Sequence, residues 1–219
     1  MDAQALSGDE TMSFTDNSSK DQPNCRHGGH KGPSSFWMHD PQIVFGEINL
    51  KPGETFLDLG CGLGDYSIYA AKIVGASGMV YAVDKQEELV NNLIEKATTM
   101  GLKNILAIKS DITSPLSLKD HTIDVCFVST VLHCIDTLDA EKVTSLFIEI
   151  RRVLKPTGRL IIIECKKEDM TFGPPKNMRL SPDQIKSLIT PHGFGSTGFV
   201  DLGYNYMIQY TLQKTDVVI

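Results

Sequence analysis

The 219-residue chain is long enough for one substantial α/β domain and too short for two. Its 41% hydrophobic and 22% charged residues are typical of globular proteins and exclude collagen, coiled coils and wholesale disorder. With 21 Lys and Arg against 27 Asp and Glu, the formal charge of −6 argues against a general binder of nucleic-acid backbones, which needs a basic face.

The lack of a recognisable targeting signal and the pattern of cysteines together predict a reducing, cytoplasmic setting. No apolar run approaches the roughly 20 residues that cross a bilayer, and residues 1–13 lack the basic start and apolar stretch of a secretory signal. The five cysteines are Cys25, Cys61, Cys126, Cys134 and Cys165. Their odd number and irregular spacing favour reduced thiols over a disulfide framework.

Residues 1–35 hold few large apolar side chains and are predicted to be a flexible polar tail, followed by a single domain over residues 36–219. The tail carries Cys25, His27 and His30, a combination that can bind a soft divalent metal. Because a fourth ligand is missing and ordering a glycine-rich tail is costly, we expect no metal site. Metal binding by these three residues stays the alternative.

From residue 36 onward the sequence predicts regular secondary structure. Asp40 and Pro41 begin a short helix, since proline is tolerated at the first helical position. Apolar strands then alternate with amphipathic helices. The predicted strands are Thr55–Leu59, Gly78–Val83, Ile105–Lys109, Ile123–Ser129 and Arg159–Glu164. The predicted helices run from the glycines at 60–64 to Val74, from Glu87 to Met100 and from Asp139 to Leu154, and a turn at Pro156–Gly158 leads into the fifth strand.

Alternating helices and wholly apolar strands predict a parallel sheet covered on both faces. Right-handed crossovers then give a doubly wound α/β fold of the Rossmann type. After a short helix over Ser181–Ile189, the strands Gly195–Asp201 and Tyr204–Leu212 follow so closely that they must pair antiparallel. We therefore expect a seven-stranded sheet, mostly parallel, with an antiparallel last strand.

A glycine-rich turn, Gly60-Cys61-Gly62-Leu63-Gly64, follows a buried strand and opens a helix. Glycine lets a ligand approach the backbone without meeting a Cβ, and ligands of such sheets bind outside the carboxyl ends of the strands. The spacing differs from the Gly-x-Gly-x-x-Gly of dinucleotide sites. Asp65 also stands at the start of the helix, where a pyrophosphate needs the bare positive end. A ligand with a cationic sulfonium and an amino group suits this acidic setting better.

An acidic residue lies in or directly after each of the first three strands. Asp84 ends the second strand and can accept hydrogen bonds from both hydroxyls of a ribose. Asp111 follows the third strand and can accept an adenine amino group. Asp58 lies inside the first strand, and because a buried aspartate needs a partner, we expect it to meet a backbone N–H or the ammonium of the ligand. Together they predict a site for an adenosyl ligand.

Five segments of the chain carry a family resemblance. They are Phe56–Gly64, Val80–Asp84, Ser110–Ile112, Ile123–Val128 and Arg151–Leu160. In this order they resemble the first, second, adenine-contacting, fourth-strand and fifth-strand motifs of the class I S-adenosylmethionine-dependent methyltransferases. The resemblance runs from about Trp37 to the end, and it is strongest to the branch with the ubiquinone/menaquinone-biosynthesis and arsenite methyltransferases.

The resemblance implies a cofactor site for S-adenosylmethionine. The glycine turn passes under the methionine end, the second-strand acid holds the ribose, and the acid after the third strand holds the adenine together with the next amide. A lysine packs beside the adenine and a serine lines the floor near the sulfonium. The implied cofactor-binding residues are Asp58, Gly60, Cys61, Gly62, Gly64, Asp84, Lys85, Asp111, Ile112 and Ser129.

Methyl transfer from a sulfonium is an in-line displacement whose leaving group departs neutral, so the main contribution of the protein is positioning. A base is needed only for an acceptor that carries a proton. His133, after the fourth strand, is our candidate for that base, with a packing role as the alternative. Its neighbour Cys134 could instead bind a soft acceptor such as arsenite.

The sequence thus predicts a methyltransferase that acts on a small-molecule acceptor, because neither a second domain nor a basic groove is evident. We expect no nucleic-acid partner and no membrane span, and the oligomeric state stays open. Two alternatives remain. One is a metalloid or thiol methyltransferase that uses Cys134. The other is a non-catalytic sensor or partner protein that binds S-adenosylmethionine.

Overall fold

The structure, a computed structural model, describes residues 34–135 and 139–213. The strands are β1 (Thr55–Leu59), β2 (Met79–Asp84), β3 (Ile105–Lys109), β4 (Ile123–Ser129), β5 (Leu154–Cys165), β6 (Phe194–Asp201) and β7 (Asn205–Leu212). The helices are α1 (Pro41–Ile48), α2 (Asp65–Val74), α3 (Glu87–Thr99), α4 (Ala140–Val153) and α5 (Pro182–Ile189). Short 3-10 turns lie at Ser35–Met38, Leu132–Cys134, Lys176–Met178 and Thr190–His192.

All seven strands form one sheet in the order β3-β2-β1-β4-β5-β7-β6. The pairs among β1 to β5 are parallel, whereas β7 runs antiparallel to both of its neighbours, β5 and β6. This arrangement confirms the expected fold. The chain winds outward from β1 to β3 and then returns to place β4 on the other side of β1. The carboxyl ends of β1 and β4 therefore form the switch point at which ligands of such sheets bind.

Helices cover both faces of the sheet because the strands are apolar on both sides. Side chains of α4 and α5, such as Phe147 and Ile185, pack in one buried cluster with alternate strand residues. Side chains of α1 and α2, such as Phe45 and Ala70, pack in a second cluster on the opposite face. Leu93 of α3 joins the face of α2 through its contact with the strand β2. The alternation of strand side chains therefore decides which helices each polar residue faces.

The start of β5 differs from the sequence-based expectation. Pro156–Gly158 was expected to form a turn before the strand, yet the strand begins at Leu154 and includes these residues. Its pairing with β4 shifts register between Ile123 and Val125, which marks a bulge. A Cβ at Gly158 would lie 2.9 Å from the carbonyl oxygen of Lys155, so the chain folds tightly on itself here. A bulge of this kind takes up the extra residues without ending the strand.

The described residues include the last two residues of the predicted tail, which was expected to end at residue 35. Ser34 and Ser35 were assigned to the tail, but Ser34 Oγ accepts a hydrogen bond from the Phe36 N–H at 3.3 Å, and Phe36 is buried. The expected start of α1 is confirmed, since Asp40 accepts a hydrogen bond from the Gln42 N–H at 2.8 Å. The rest of the predicted tail, with Cys25, His27 and His30, lies outside the described residues.

Neither a membrane-spanning helix nor a metal-binding cluster occurs among the described residues. Within residues 34–135 and 139–213, no helix is long and apolar enough to cross a membrane. The same ranges contain no group of three or more His, Cys, Asp or Glu side chains placed to hold a metal ion.

Candidate active site

The glycine turn between β1 and α2 takes a backbone path that favours glycine. Gly60, Gly62 and Gly64 have φ angles of 76°, 54° and 76°, which lie in the left-handed region. The N–H groups of Gly60 and Cys61 donate to the Val83 carbonyl at 2.8 and 2.9 Å, so the turn is tied to the end of β2. The sequence-predicted turn therefore lies at the switch point.

The three glycines differ in what surrounds them. A Cβ at Gly60 would lie 2.5 Å from Val131 Cγ2, and one at Gly64 would lie 2.4 Å from Leu93 Cδ1. A Cβ at Gly62 would meet no atom within 4 Å among the described residues. The outer glycines thus allow close packing of the protein itself. The middle glycine leaves the backbone open to a ligand.

Asp58 is buried at the end of β1, on the face of α2, and it has an unexpected partner. Ser67 donates its hydroxyl hydrogen to Asp58 Oδ2 at 2.6 Å. The sequence predicted a backbone N–H or the ammonium of the ligand as the partner, and Ser67 was not among these. Burial raises the pKa of Asp58 to about 7, helped by the charges of Asp84 and Asp65, while the Ser67 hydrogen bond opposes the rise. A cation beside this group would favour its ionised form.

Asp84 is brought directly to the glycine turn. Its Oδ2 accepts a hydrogen bond from the Gly62 N–H at 3.0 Å, and its Oδ1 accepts one from the Gln86 N–H at 2.9 Å. A carboxylate has about four acceptor sites, so both oxygens keep capacity for ribose hydroxyls. The next residue, Lys85, is exposed at the same edge of the sheet.

The two residues predicted for the adenine lie after β3. Asp111 Oδ1 accepts hydrogen bonds from the Thr113 N–H at 2.9 Å and from its hydroxyl at 2.7 Å. Partial burial by itself raises the pKa of Asp111, but these hydrogen bonds and the nearby charge of Lys85 outweigh it and lower the pKa. Ile112 is buried in the core cluster on the face of α4. Asp111 therefore stays ionised, with its second oxygen available.

Ser129, at the end of β4, belongs to a group of hydroxyls that the sequence did not reveal. Its Oγ lies 3.1 Å from Ser35 Oγ, and the Thr130 hydroxyl donates to Ser35 at 3.3 Å. The Tyr66 hydroxyl lies 2.6 Å from His39 Nε2. Burial raises the pKa of Tyr66 and lowers that of His39, so both are neutral near pH 7. The segment before α1 is thus fastened to the carboxyl edge of β4.

His133 forms a buried pair with Glu164 of β5. Its Nδ1 lies 2.9 Å from Glu164 Oε2, while the Leu132 N–H donates to Glu164 Oε1 at 2.8 Å. Burial alone lowers the pKa of His133, but hydrogen bonds with Cys134 and Glu164 and the charge of Glu164 outweigh it and raise the pKa to about 10. Glu164 shares the strand face of Ile162, toward α4 and α5, so this pair is anchored on the opposite face from Ser129.

The sequence reasoning missed Ser67, Ser35 and Glu164 as partners of predicted site residues. A signal existed for Ser67, since the buried Asp58 required a donor and the first turn of α2 was the nearest source. Glu164 was visible only as part of a polar stretch, because its pairing with His133 spans 31 residues. Nothing local to Ser35 indicates a partner 94 residues away.

Known proteins share this fold. A protein-family model described as a methyltransferase domain matches residues 50–198. The chain belongs to this family of S-adenosylmethionine-dependent methyltransferases. A solved relative, a SAM-dependent methyltransferase from Aquifex aeolicus, is 35% identical with a TM-score of 0.73, and the match covers 82% of this chain and 93% of that one.

Two curated relatives extend the family assignment. A probable cobalt-precorrin-6B C(15)-methyltransferase (decarboxylating) from Saccharolobus solfataricus is 29% identical over 121 residues, covering 55% of this chain and 57% of the relative. A demethylmenaquinone methyltransferase from Lactobacillus johnsonii is 32% identical over 120 residues, covering 55% of this chain and 47% of the relative. The chain thus spans about half the length of these curated relatives.

The site of this methyltransferase fits S-adenosylmethionine, the cofactor of the family. Gly62 presents open backbone at the switch point. Around the turn lie Asp58, Asp84 and Asp65, and one buried oxygen of Asp65 has no hydrogen-bond partner in the described part of the chain. Acidic groups with unused acceptors match a ligand that carries a sulfonium and an ammonium group.

Proposed function

We propose that the chain transfers the methyl group of S-adenosylmethionine to a small-molecule acceptor by in-line displacement. The observation that carries this proposal is the contact between the Gly62 N–H and Asp84, which sets a ribose-binding carboxylate beside an open glycine backbone. When bound, the cofactor supplies an electrophilic methyl group on a sulfonium. The residues of the chain need only bind and orient the two reactants.

Each cofactor residue has a proposed role that follows from its place at the carboxyl edge. Asp84 binds the ribose hydroxyls, and Asp58 binds the ammonium group through an oxygen not used by Ser67. Asp111 accepts from the adenine amino group, with the Ile112 amide and Lys85 beside the ring. Gly60, Cys61, Gly62 and Gly64 support the methionine end, and Ser129 lines the floor next to them.

His133 stays our candidate for proton transfer at the acceptor. Glu164 holds its Nδ1 and fixes the ring, which leaves Nε2 for another partner. With a pKa of about 10, the ring is protonated at pH 7, so base function requires a rate that rises as the pH approaches 10. A pH–rate profile of the wild type against His133→Gln tests this role. A profile that is identical in both proteins removes His133 from the chemistry.

The acceptor is proposed to be a small molecule in the cytoplasm. The net charge of −6 supports this, because a nucleic-acid substrate needs a basic surface. Both curated relatives are also named for small-molecule substrates, a precorrin and a demethylmenaquinone. No part of the proposal requires a nucleic-acid partner.

One observation favours a second candidate function, methylation of a metalloid or thiol. Cys134 is exposed, whereas the other cysteines in the described ranges, Cys61, Cys126 and Cys165, are buried. It also directly follows His133, the candidate for proton transfer at the acceptor. Arsenite-dependent turnover that is lost in Cys134→Ser supports this candidate, and turnover that survives the substitution removes it.

Transfer of a tritium-labelled methyl group tests the proposed function. The purified chain is incubated with labelled S-adenosylmethionine and a small-molecule extract, with Asp84→Ala as the control. We expect a labelled product from the wild type and none from the control. Saturable cofactor binding without any product would instead support a sensor or partner protein, and no saturable binding would refute the whole proposal.

A further inference from the structure

The segment between β5 and α5 lines an open cavity of about 400 Å³. This volume lies in the range of small-molecule pockets, roughly 300–1,000 Å³. The segment follows the carboxyl end of β5, so the cavity lies at the same edge of the sheet as the glycine turn. Phe172 of the segment packs edge-on against Tyr204 at 4.8 Å between ring centroids, which joins the segment to the start of β7.

Arg179 is the buried cation of this cavity, with only 2% of its surface exposed. Its guanidinium donates to four backbone carbonyls: Pro174 at 2.7 Å, Glu168 and Phe172 at 2.8 Å, and Lys166 at 3.3 Å. These contacts use four of the five N–H groups of a guanidinium. The fifth, on Nη2, has no acceptor in the structure over residues 34–135 and 139–213.

The charge of Arg179 is not neutralised by a carboxylate. Carbonyl oxygens solvate a guanidinium without cancelling its charge, and buried charges are normally paired. Among the residues described, no Asp or Glu oxygen lies within 4.0 Å of an Arg179 nitrogen. Asp169 also lines the cavity, but it pairs with Lys176 at 2.7 Å, so the three charged lining residues leave one net positive charge. Glu164 is engaged by His133.

The rest of the lining is mostly apolar. Met170, Phe172, Pro174 and Pro175 form the wall around the cation. An apolar wall with one convergent charge is the usual construction of a pocket for an amphipathic ligand. A carboxylate is the anion that matches the planar donors of a guanidinium.

We infer that the methyl acceptor is an organic acid whose carboxylate binds beside Arg179 and whose apolar body packs on Met170 and Phe172. This inference rests on the proposed methyltransferase function and names its substrate class. Arg179 has two tasks in it: one side of the guanidinium holds the segment closed, and the remaining N–H and the charge receive the acid.

Binding of benzoate, compared with the neutral isostere benzamide and with inorganic phosphate, tests the inference. The full chain is saturated with S-adenosylhomocysteine, and its thermal midpoint is followed as each probe is added. We expect a saturable rise with benzoate, and none with benzamide or phosphate. Equal shifts with benzoate and benzamide, or a response to phosphate alone, overturn the organic acid. No shift with any of the three probes overturns the inference too.

Substitutions test whether benzoate binds in the cavity beside Arg179. Arg179→Gln also removes contacts that hold the segment, so Met170→Glu is the decisive change, because it sets a like charge in the cavity and keeps Arg179. We expect its benzoate Kd to rise about tenfold or more. Met100→Glu, at the end of α3, is the matched control and should bind benzoate like the wild type. An equal Kd in both variants overturns the site.

The affinity for S-adenosylhomocysteine distinguishes a failure of the organic-acid inference from a failure of the proposed methyltransferase function. If S-adenosylhomocysteine binds normally while benzoate does not, the methyltransferase proposal stands and the acid acceptor fails. If S-adenosylhomocysteine itself does not bind, the proposed function fails first.

Discussion

Alanine substitutions within the glycine turn should separate folding from cofactor binding. Gly62→Ala puts a methyl group into open space, so the protein itself loses only the left-handed backbone preference at φ 54°. That preference costs about 1–2 kcal/mol for a residue with a Cβ. For a chain of this size the melting temperature should fall by about 2–8 °C. Because the methionine end is proposed to pass over Gly62, the Kd for S-adenosylhomocysteine should rise about tenfold or more.

Gly64→Ala should lower the melting temperature more than Gly62→Ala does and should change the Kd for S-adenosylhomocysteine less. Its Cβ would lie 2.4 Å from Leu93 Cδ1, in the core rather than toward the ligand. Overpacking adds about 1–3 kcal/mol to the backbone cost, which makes about 2–5 kcal/mol in total. The melting temperature should therefore fall by about 4–20 °C. The folded protein should keep a nearly normal Kd at low temperature.

Differential scanning calorimetry and isothermal titration measure the two effects. Gly101→Ala, after α3, supplies a control with a positive φ of 67° and nothing within 4 Å of the added Cβ. It should resemble Gly62→Ala in melting temperature and the wild type in Kd. Equal affinity of Gly62→Ala and the wild type would refute the placement of the methionine end. Equal melting temperatures for Gly62→Ala and Gly64→Ala would refute the packing against Leu93.

Four other predictions concern three acidic side chains and the N-terminal residues. Asp84→Ala should weaken S-adenosylhomocysteine binding by about 3 kcal/mol or more in titration calorimetry, since two hydrogen bonds to a carboxylate are lost; unchanged affinity removes the ribose assignment. The Asp58 pKa is raised from 3.8 to about 7, so the folded state holds this proton longer, and stability should fall as the pH rises from 4 to 7. Asp58→Asn should flatten that slope in thermal melts, and a slope that persists contradicts the assignment. Glu164→Gln should cost about 3–5 kcal/mol in urea unfolding, because it breaks the buried ion pair and removes the carboxylate that favours the charged form of the His133 ring; a loss below 1 kcal/mol contradicts the ion pair. Deletion of residues 1–33 should leave the melting temperature unchanged, and a large drop would show that the tail contributes to the fold.

Chain order predicted that the proposed cofactor residues come together. They stand at or just after the ends of strands, and parallel strands bring their carboxyl ends to one edge. Knowing that Thr55–Leu59 and Met79–Asp84 are neighbouring strands therefore suffices to bring Gly62 and Asp84 together. The glycine-rich turn was also predicted, and the positive φ angles of its three glycines show why glycine is needed there.

Contacts that depend on register or on distant loops could not be predicted in this way. Which face of β5 Glu164 occupies is set by the bulge that starts the strand, and a shift of one residue would turn it away from His133. The contact of Ser35 with Ser129 depends on how the segment before α1 crosses the sheet. No periodicity in the sequence encodes that path.

The predictable contacts and the unpredictable ones lie on different sides of the proposed site. The proposed cofactor residues lie on strand ends and helix starts, whose positions the whole sheet fixes. The proposed acceptor side is built from three segments outside the regular helices and strands. Ser35 contacts Ser129 from the segment before α1, Glu164 of β5 holds the turn after β4, and Arg179 holds the segment after β5. Changes in those segments would alter the acceptor while the cofactor contacts stay intact. A fold shared with relatives that are named for different substrates is therefore the expected outcome, and acceptor identity must be sought at these three side chains rather than in the motifs.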